Sequence, residues 1–331
     1  MQHLPTTTAS SSSSSSSTTR ENLPILSLSF SDIPAIPNGK YAQFHGQVKR
    51  SAIGEYEFTV EIQKKLTGGL SYVSATFDQS NVHLRLEPLF GSEEIQIDAI
   101  EYLTGLYENP KIYNYIGDGQ PRHRSDVSQM QMFWQKAAED GAFSLAFKIL
   151  AKENASSGVN SVGYITIDQR GGVANATDPA YAIDPEYQGK GYASKAAVLT
   201  YGPVMSLLLQ SGCNRTLYAR NGMPRGICDT FEATCWNENK QSKQVLMKVM
   251  GKEPDQLLAR QGRSKFLFSY PLERMINIFG NQLGGGKINC IFGEQKHSGL
   301  SSLGLFSSSG LTKTVSSEVT STTTTAPSTC N

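Results

Sequence analysis

Residues 55–62 alternate without a break: Tyr56, Phe58, Val60 and Ile62 fall on one side, Glu55, Glu57, Thr59 and Glu61 on the other. Successive side chains of an extended chain point to opposite faces, so this run is a strand with one buried face. Gly68-Gly69 interrupts the chain before "LSYVSATF", a second run of the same kind, and the pair reads as a hairpin. "KYAQFHGQVK" supplies a third strand. Together they predict a small antiparallel β meander over residues 26–80.

From Val82 the rhythm changes. "VHLRLEPL" alternates as a strand, and Ser92 follows as a helix N-cap with Glu93 and Glu94 in the first turn. Ala99, Ile100, Leu103, Leu106 and Tyr107 recur at helical spacing up to Asn109-Pro110. A second helix starts at Ser125, with Val127, Met130, Trp134 and Ala137 on one side. Strands are expected at 143–150, with Phe143, Leu145, Phe147 and Ile149 on one face, at 162–168 and near 181–183. A helix over 192–210 follows, and Gly202-Pro203 should kink it or end it early. "TFEATCW" reads as a strand and 240–250 as a helix with Val245, Leu246, Val249 and Met250 on its apolar side. "KFLFSY" closes the pattern. The order β-α-α-β-β-β-α-β-α-β is that of an α/β sandwich in a domain spanning 81–275, not of a doubly wound fold.

Composition trims the ends. Ser10–17 is an unbroken serine run, and from about Ser298 the chain is almost all Ser, Thr and Gly. Such tracts bury too little apolar surface to offset chain entropy, so residues 1–25 and 276–331 are expected to be disordered tails. Net charge is +1, with 30 basic and 29 acidic residues in no long run, which argues against a nucleic-acid partner. Five cysteines without a CxxC pair point to free thiols in a reducing compartment. The N-terminus shows no basic-then-apolar signal region, and the longest apolar-leaning window is too short for a bilayer. The expectation is a cytoplasmic protein, or one exported without a Sec-type signal, with no membrane partner. Nothing in the sequence sets its oligomeric state.

The stretch "YQGKGYASKAA" at 187–197 follows a strand and opens a helix. The first amides of a helix lack internal partners, and the helix dipole adds partial positive charge there. Gly189 and Gly191 let the backbone approach a ligand with no Cβ in the way, and Lys190 can add charge. The product suits a pyrophosphate; a plain Gly-rich turn is the bland alternative. "LGGGKI" at 283–288 is no phosphate loop, because Asn281 and Ile288 stand where that motif needs a glycine and a hydroxyl; it reads as a linker. The histidines show no metal-ligand spacing, so no metal is expected.

Gln188-x-x-Gly191-x-Ala193 matches the signature of the GNAT acyltransferases, and "AYAIDPEYQGKGYASKA" resembles their RimJ/RimL-type branch. "LRLEPL", "NPKIYNYIGDG", "VGYITI" and "NENKQSKQVLMKVMG" resemble, in order, further segments of that family. The resemblance covers about 82–270. It implies a mixed, mainly antiparallel central sheet flanked by helices, with acetyl-CoA as cosubstrate. It also implies that Gln188, Gly189, Lys190, Gly191, Tyr192 and Ala193 cradle the CoA pyrophosphate and that the backbone at Ile183 pairs with the pantetheine arm. Asn239 would orient the cofactor. Ser242 would serve the departing thiolate, and Asp178, three residues before Tyr181, would accept the amine's proton. The segment 212–229 is additional to the family pattern, and Lys252 stands where an aromatic residue is usual. The expected activity is acetyl transfer to an amine, first of all a protein or peptide N-terminus. A small-molecule amine acetyltransferase and a degenerate acyl-CoA-binding module are the alternatives.

Overall fold

The structure is a computed structural model that describes residues 24–294 apart from 81, 117–118, 153–157, 169–174, 220–221 and 261. The chain opens with β1 (Ile25–Leu28), β2 (Lys40–Val48), β3 (Tyr56–Lys64), β4 (Leu70–Gln79) and β5 (Val82–Pro88). Then come α1 (Glu93–Glu108), the short α2 (Pro110–Tyr113) and α3 (Arg124–Glu139). Next are β6 (Ala146–Lys152), β7 (Asn160–Thr166) and β8 (Tyr181–Ile183). α4 (Tyr192–Leu199) passes through a π-helical turn, Thr200–Val204, into α5 (Met205–Gln210). β9 (Thr216–Tyr218), β10 (Pro224–Ile227), β11 (Thr230–Trp236) and α6 (Lys240–Met250) follow. β12 (Gln256–Arg260), β13 (Arg263–Pro271), α7 (Leu272–Gln282) and β14 (Ile288–Glu294) complete the described chain.

Period-two patterning puts the expected faces inside. Phe58, Val60 and Ile62 of β3 are fully buried, as are Phe147 and Ile149 of β6. α6 has the predicted bounds, and Val245, Leu246, Val249 and Met250 are its buried residues. Ser92 caps α1 by accepting the N–H of Ile95. Among the described residues, nine strands form one antiparallel sheet in the order β1-β14-β2-β3-β4-β5-β6-β7-β8. α4, α5 and α7 cover one face, with Phe147, Ile183, Leu199 and Phe279 in its core. α1 and α3 cover the other, around Leu103, Trp134, Tyr164 and Ala182. A three-stranded sheet, β11-β13-β12, stands beside β8.

Four sequence expectations change. The meander β2-β3-β4 pairs directly with β5, so no boundary falls near residue 80 and the two predicted parts share one sheet. The expected tail 276–331 begins too early: α7 and β14 lie within it, and β14 pairs with both β1 and β2. Residues 283–288 are therefore the turn between those two elements, with Gly284 at φ 61 and Gly285 at φ 76. Residues 1–23 and 295–331, where the rest of both predicted tails falls, lie outside the described residues. Pro203 does not end its helix: one wide π turn absorbs the missing hydrogen bond, and the helix runs on to Gln210. The additional segment 212–229 holds the β9-β10 hairpin.

Candidate active site

The site grows from two strands that begin together and then part. Ala176 bridges Thr230 in parallel, and the Thr177 N–H donates to Thr230 O at 3.0 Å. The Glu232 N–H donates to Thr177 Oγ1 at 3.1 Å. Beyond that point, among the described residues, β8 pairs only with β7, while β11 turns to β13. The gap widens into a cleft of about 640 Å³. Ala180 O and the Asp184 N–H bond to β7, so by alternation the backbone groups of Tyr181 and Ile183 face the cleft. An extended ligand can pair there as an added strand would.

At the wide end, Asp184 caps a short 3-10 turn over Pro185–Tyr187. Gln188 Nε2 then donates to Ile183 O at 2.9 Å, which ties the loop back to the strand. Gly189 and Gly191 both adopt left-handed backbone, φ 81 and 79. Alternation of right- and left-handed residues at a helix start turns successive N–H groups toward one concave side, an anion-binding nest. A Cβ on Gly191 would lie 3.4 Å from Lys195 Nζ. Burial, and then the nearby charge of Lys248, pull the Lys195 pKa down. Two ammonium groups beside the nest repel one another, and a phosphate between them would relieve that repulsion.

In the middle of the cleft, Tyr181 Oη and Ser242 Oγ are 2.8 Å apart, and the phenol also donates to Ser242 O at 3.2 Å. Burial raises the Tyr181 pKa, so the phenol stays protonated at neutral pH. Asn239 is the N-cap of α6 and its Oδ1 accepts the Ser242 N–H at 3.0 Å. Its carbonyl thus serves α6, which fixes Ser242 opposite Tyr181. Cys235 lines the same wall, but burial pushes its thiol up to about 11, which leaves it a poor nucleophile.

Asp178 lies at the narrow end, and its backbone N–H donates to Asp168 Oδ1 at 2.8 Å. Asp168 is wholly buried, and Arg225 Nη2 of the inserted hairpin lies 3.7 Å from its other oxygen. Arg225 also donates to Ala176 O at 2.9 Å. The insertion thus braces the segment that carries Asp178. Removing one partner of a buried ion pair costs on the order of 3 kcal/mol. Arg225→Gln is therefore expected to lower the melting temperature by roughly 6–12 °C, read by calorimetry; an unchanged midpoint would deny the brace. Burial, and then the charge of Asp178, raise the Glu232 pKa above that of an ordinary carboxylate.

The structure places Asp178, Ile183, Gln188, Gly189, Gly191, Tyr192, Ala193, Asn239 and Ser242 on the cleft wall. Lys190 is not on it, and its ammonium lies 5.4 Å from the centroid of the Tyr187 ring. Sequence reasoning missed Tyr181 as a working group, along with Lys195, Lys248, Glu232 and Arg225. Tyr181 was within reach, since it alternates with Ile183 on the same strand. Among the described residues no His, Cys, Asp or Glu cluster could hold a metal, and no helix is long and apolar enough to cross a membrane.

No curated protein matches the sequence. Solved structures similar to it include an acetyltransferase (GNAT family) from Bacillus anthracis, 17% identical over 60% of this chain and 99% of that one, TM-score 0.37. RimL, a ribosomal L7/L12 alpha-N-protein acetyltransferase, is 13% identical over 58% and 91%, TM-score 0.35. A spermidine N-acetyltransferase SpeG chimera from Vibrio cholerae and hSSAT is 13% identical over 60% and 99%, TM-score 0.38. The sequence profile of the acetyltransferase (GNAT) domain matches residues 83–250, half of the chain and every element that lines the cleft except β13. The chain belongs to that family and is an acetyl-CoA-dependent N-acetyltransferase.

Proposed function

We propose that the chain acetylates the α-amine of a protein or peptide N-terminus, in the manner of the RimJ/RimL-type branch that "AYAIDPEYQGKGYASKA" resembles. The observation that carries the reading is the parting of β8 from β11, with the glycine nest at one end of the gap and the Tyr181–Ser242 hydroxyl pair in its middle. The nest and the ammonium groups of Lys195 and Lys248 suit the phosphates of acetyl-CoA. The cleft-facing backbone of Tyr181 and Ile183 suits its amide-bearing arm.

An amine at neutral pH is mostly protonated and must lose a proton before it attacks a carbonyl. Asp178 is the carboxylate on the cleft wall and takes that proton, directly or through a water. The Tyr181 phenol, kept protonated by burial and oriented by Ser242, donates to the departing sulfur. Acetyl transfer is then direct, from thioester to amine, with no acyl-enzyme on Cys235.

Groups of this kind contribute roughly 10²–10⁴-fold in rate. Tyr181→Phe and Asp178→Asn are expected to lower turnover by such factors, and Ser242→Ala by a smaller one, with acetyl-CoA affinity nearly intact. Steady-state thiol release and calorimetric titration together read both quantities. Full turnover in all three variants would move the roles elsewhere.

A further inference from the structure

The acceptor's half of the cleft is separable from the cofactor's by strand register. Cys235 pairs with Phe266, whose ring carries Lys243 of α6 at 4.6 Å, so odd positions of β11 face the helix side. Trp236 pairs with Lys265 on the opposite face. That face meets the connector after α2, because Arg263 Nη1 donates to Asn114 O at 3.3 Å. The amine must therefore enter between the connector and the Trp236–Lys265 face.

Among the described residues that line it, this entrance carries three cations and no carboxylate beside them. Lys265 is only 8% exposed, and its ammonium stands 4.0 Å from the centroid of the Trp236 ring. Lys111 and Arg122 line the other wall. Asp178, at the narrow end, is the one carboxylate among the described residues that line the cleft. Tyr115, 45% exposed, offers an aromatic surface at the rim. A cationic polyamine meets repulsion here. A molecule with a carboxylate near its amine meets attraction, and the same cations lower the amine's pKa and ease its deprotonation.

On the reading that this cleft acetylates amines, we infer that the acceptor is anionic next to its amine: a peptide N-terminus followed by an acidic residue, recognised by Lys265 with Lys111 and Arg122. Lys265 is the specificity-determining residue, fixed on its strand by Trp236.

The test compares kcat/KM for five acceptors with the full chain: a tetrapeptide beginning Ala-Asp-Glu, one beginning Ala-Ser-Ala, one beginning Ala-Lys-Lys, free glutamate and spermidine. The acidic peptide should lead the lysine peptide by at least about tenfold, and added salt should narrow that lead. Lys265→Glu should reverse the order, and Lys265→Met, which keeps contact with Trp236, should narrow it if the charge reversal melts the fold. A lead for free glutamate over the peptide keeps the anionic recognition and assigns it to a small amino acid. A lead for spermidine or the lysine peptide, or an order indifferent to Lys265, overturns the inference. A binding titration of the acidic peptide into CoA-saturated protein separates the two claims. Lys265-dependent binding without turnover upholds the recognition and overturns the transferase reading; neither binding nor turnover overturns both.

Discussion

Gly191→Glu is expected to abolish acetyl-CoA binding while the chain still folds. Gly191 sits at φ 79, a conformation that costs an ordinary residue about 1–2 kcal/mol, and its Cβ would point at Lys195 Nζ, 3.4 Å away. The new carboxylate would pair with Lys195 and Lys248, the same cations that a phosphate needs. It would thereby act as a tethered competitor and place negative charge in the nest. Affinity should fall by more than about a hundredfold, the scale of losing a desolvated charge contact. Gly251→Ala is the control. Gly251 does not line the cleft, its Cβ would meet nothing within 4 Å, and the residue keeps only the cost of φ 62. That variant should bind acetyl-CoA nearly as well as the parent and lose about 1 kcal/mol of stability. Equal affinity in both variants would remove the loop from the cofactor site.

The second large effect concerns the C-terminal boundary. A chain ending at Glu273 would lack most of α7 and all of β14. Met275, Phe279, Leu283 and Ile288 are all buried, and exposing them forfeits roughly 6–12 kcal/mol. That rivals the whole stability of a typical domain, about 5–15 kcal/mol. The loss would also strip β1 and β2 of their common partner strand. Residues 24–273 alone should therefore show little cooperative unfolding by calorimetry or circular dichroism, whereas residues 24–294 should melt in one transition. A folded 24–273 chain would show that β14 is dispensable to the sheet.

Where periodicity was long, the chain declared its elements. β3 and α6 each carry an uninterrupted pattern of one period, and both form over the expected residues. β14 was illegible for the opposite reason. "INCIFGE" follows three glycines and precedes a serine-rich tract, so composition masked a seven-residue strand whose stability comes from two non-local partners. Of the two outcomes expected at Gly202-Pro203, the early end does not occur: the cost of Pro203 is local, and the buried packing of Tyr201 and Val204 holds the helix through the π turn. The glycine nest was legible because left-handed turns restrict residue type so strongly. Lys265 was not, since its place in the cleft depends on the register of β13 against β11, a pairing across some thirty residues that no short motif announces. The contrast between Asn239 and Tyr181 has the same origin. A capping residue is visible in its own helix, whereas a phenol that reaches another element becomes visible only in three dimensions.

The most direct test of the account is the full chain with acetyl-CoA and the Ala-Asp-Glu peptide, following free thiol and peptide mass together. The account predicts thiol release in step with the gain of one acetyl group at the peptide's N-terminus, and loss of both signals in Gly191→Glu. Thiol release no faster than without peptide, with the peptide mass unchanged, would contradict it.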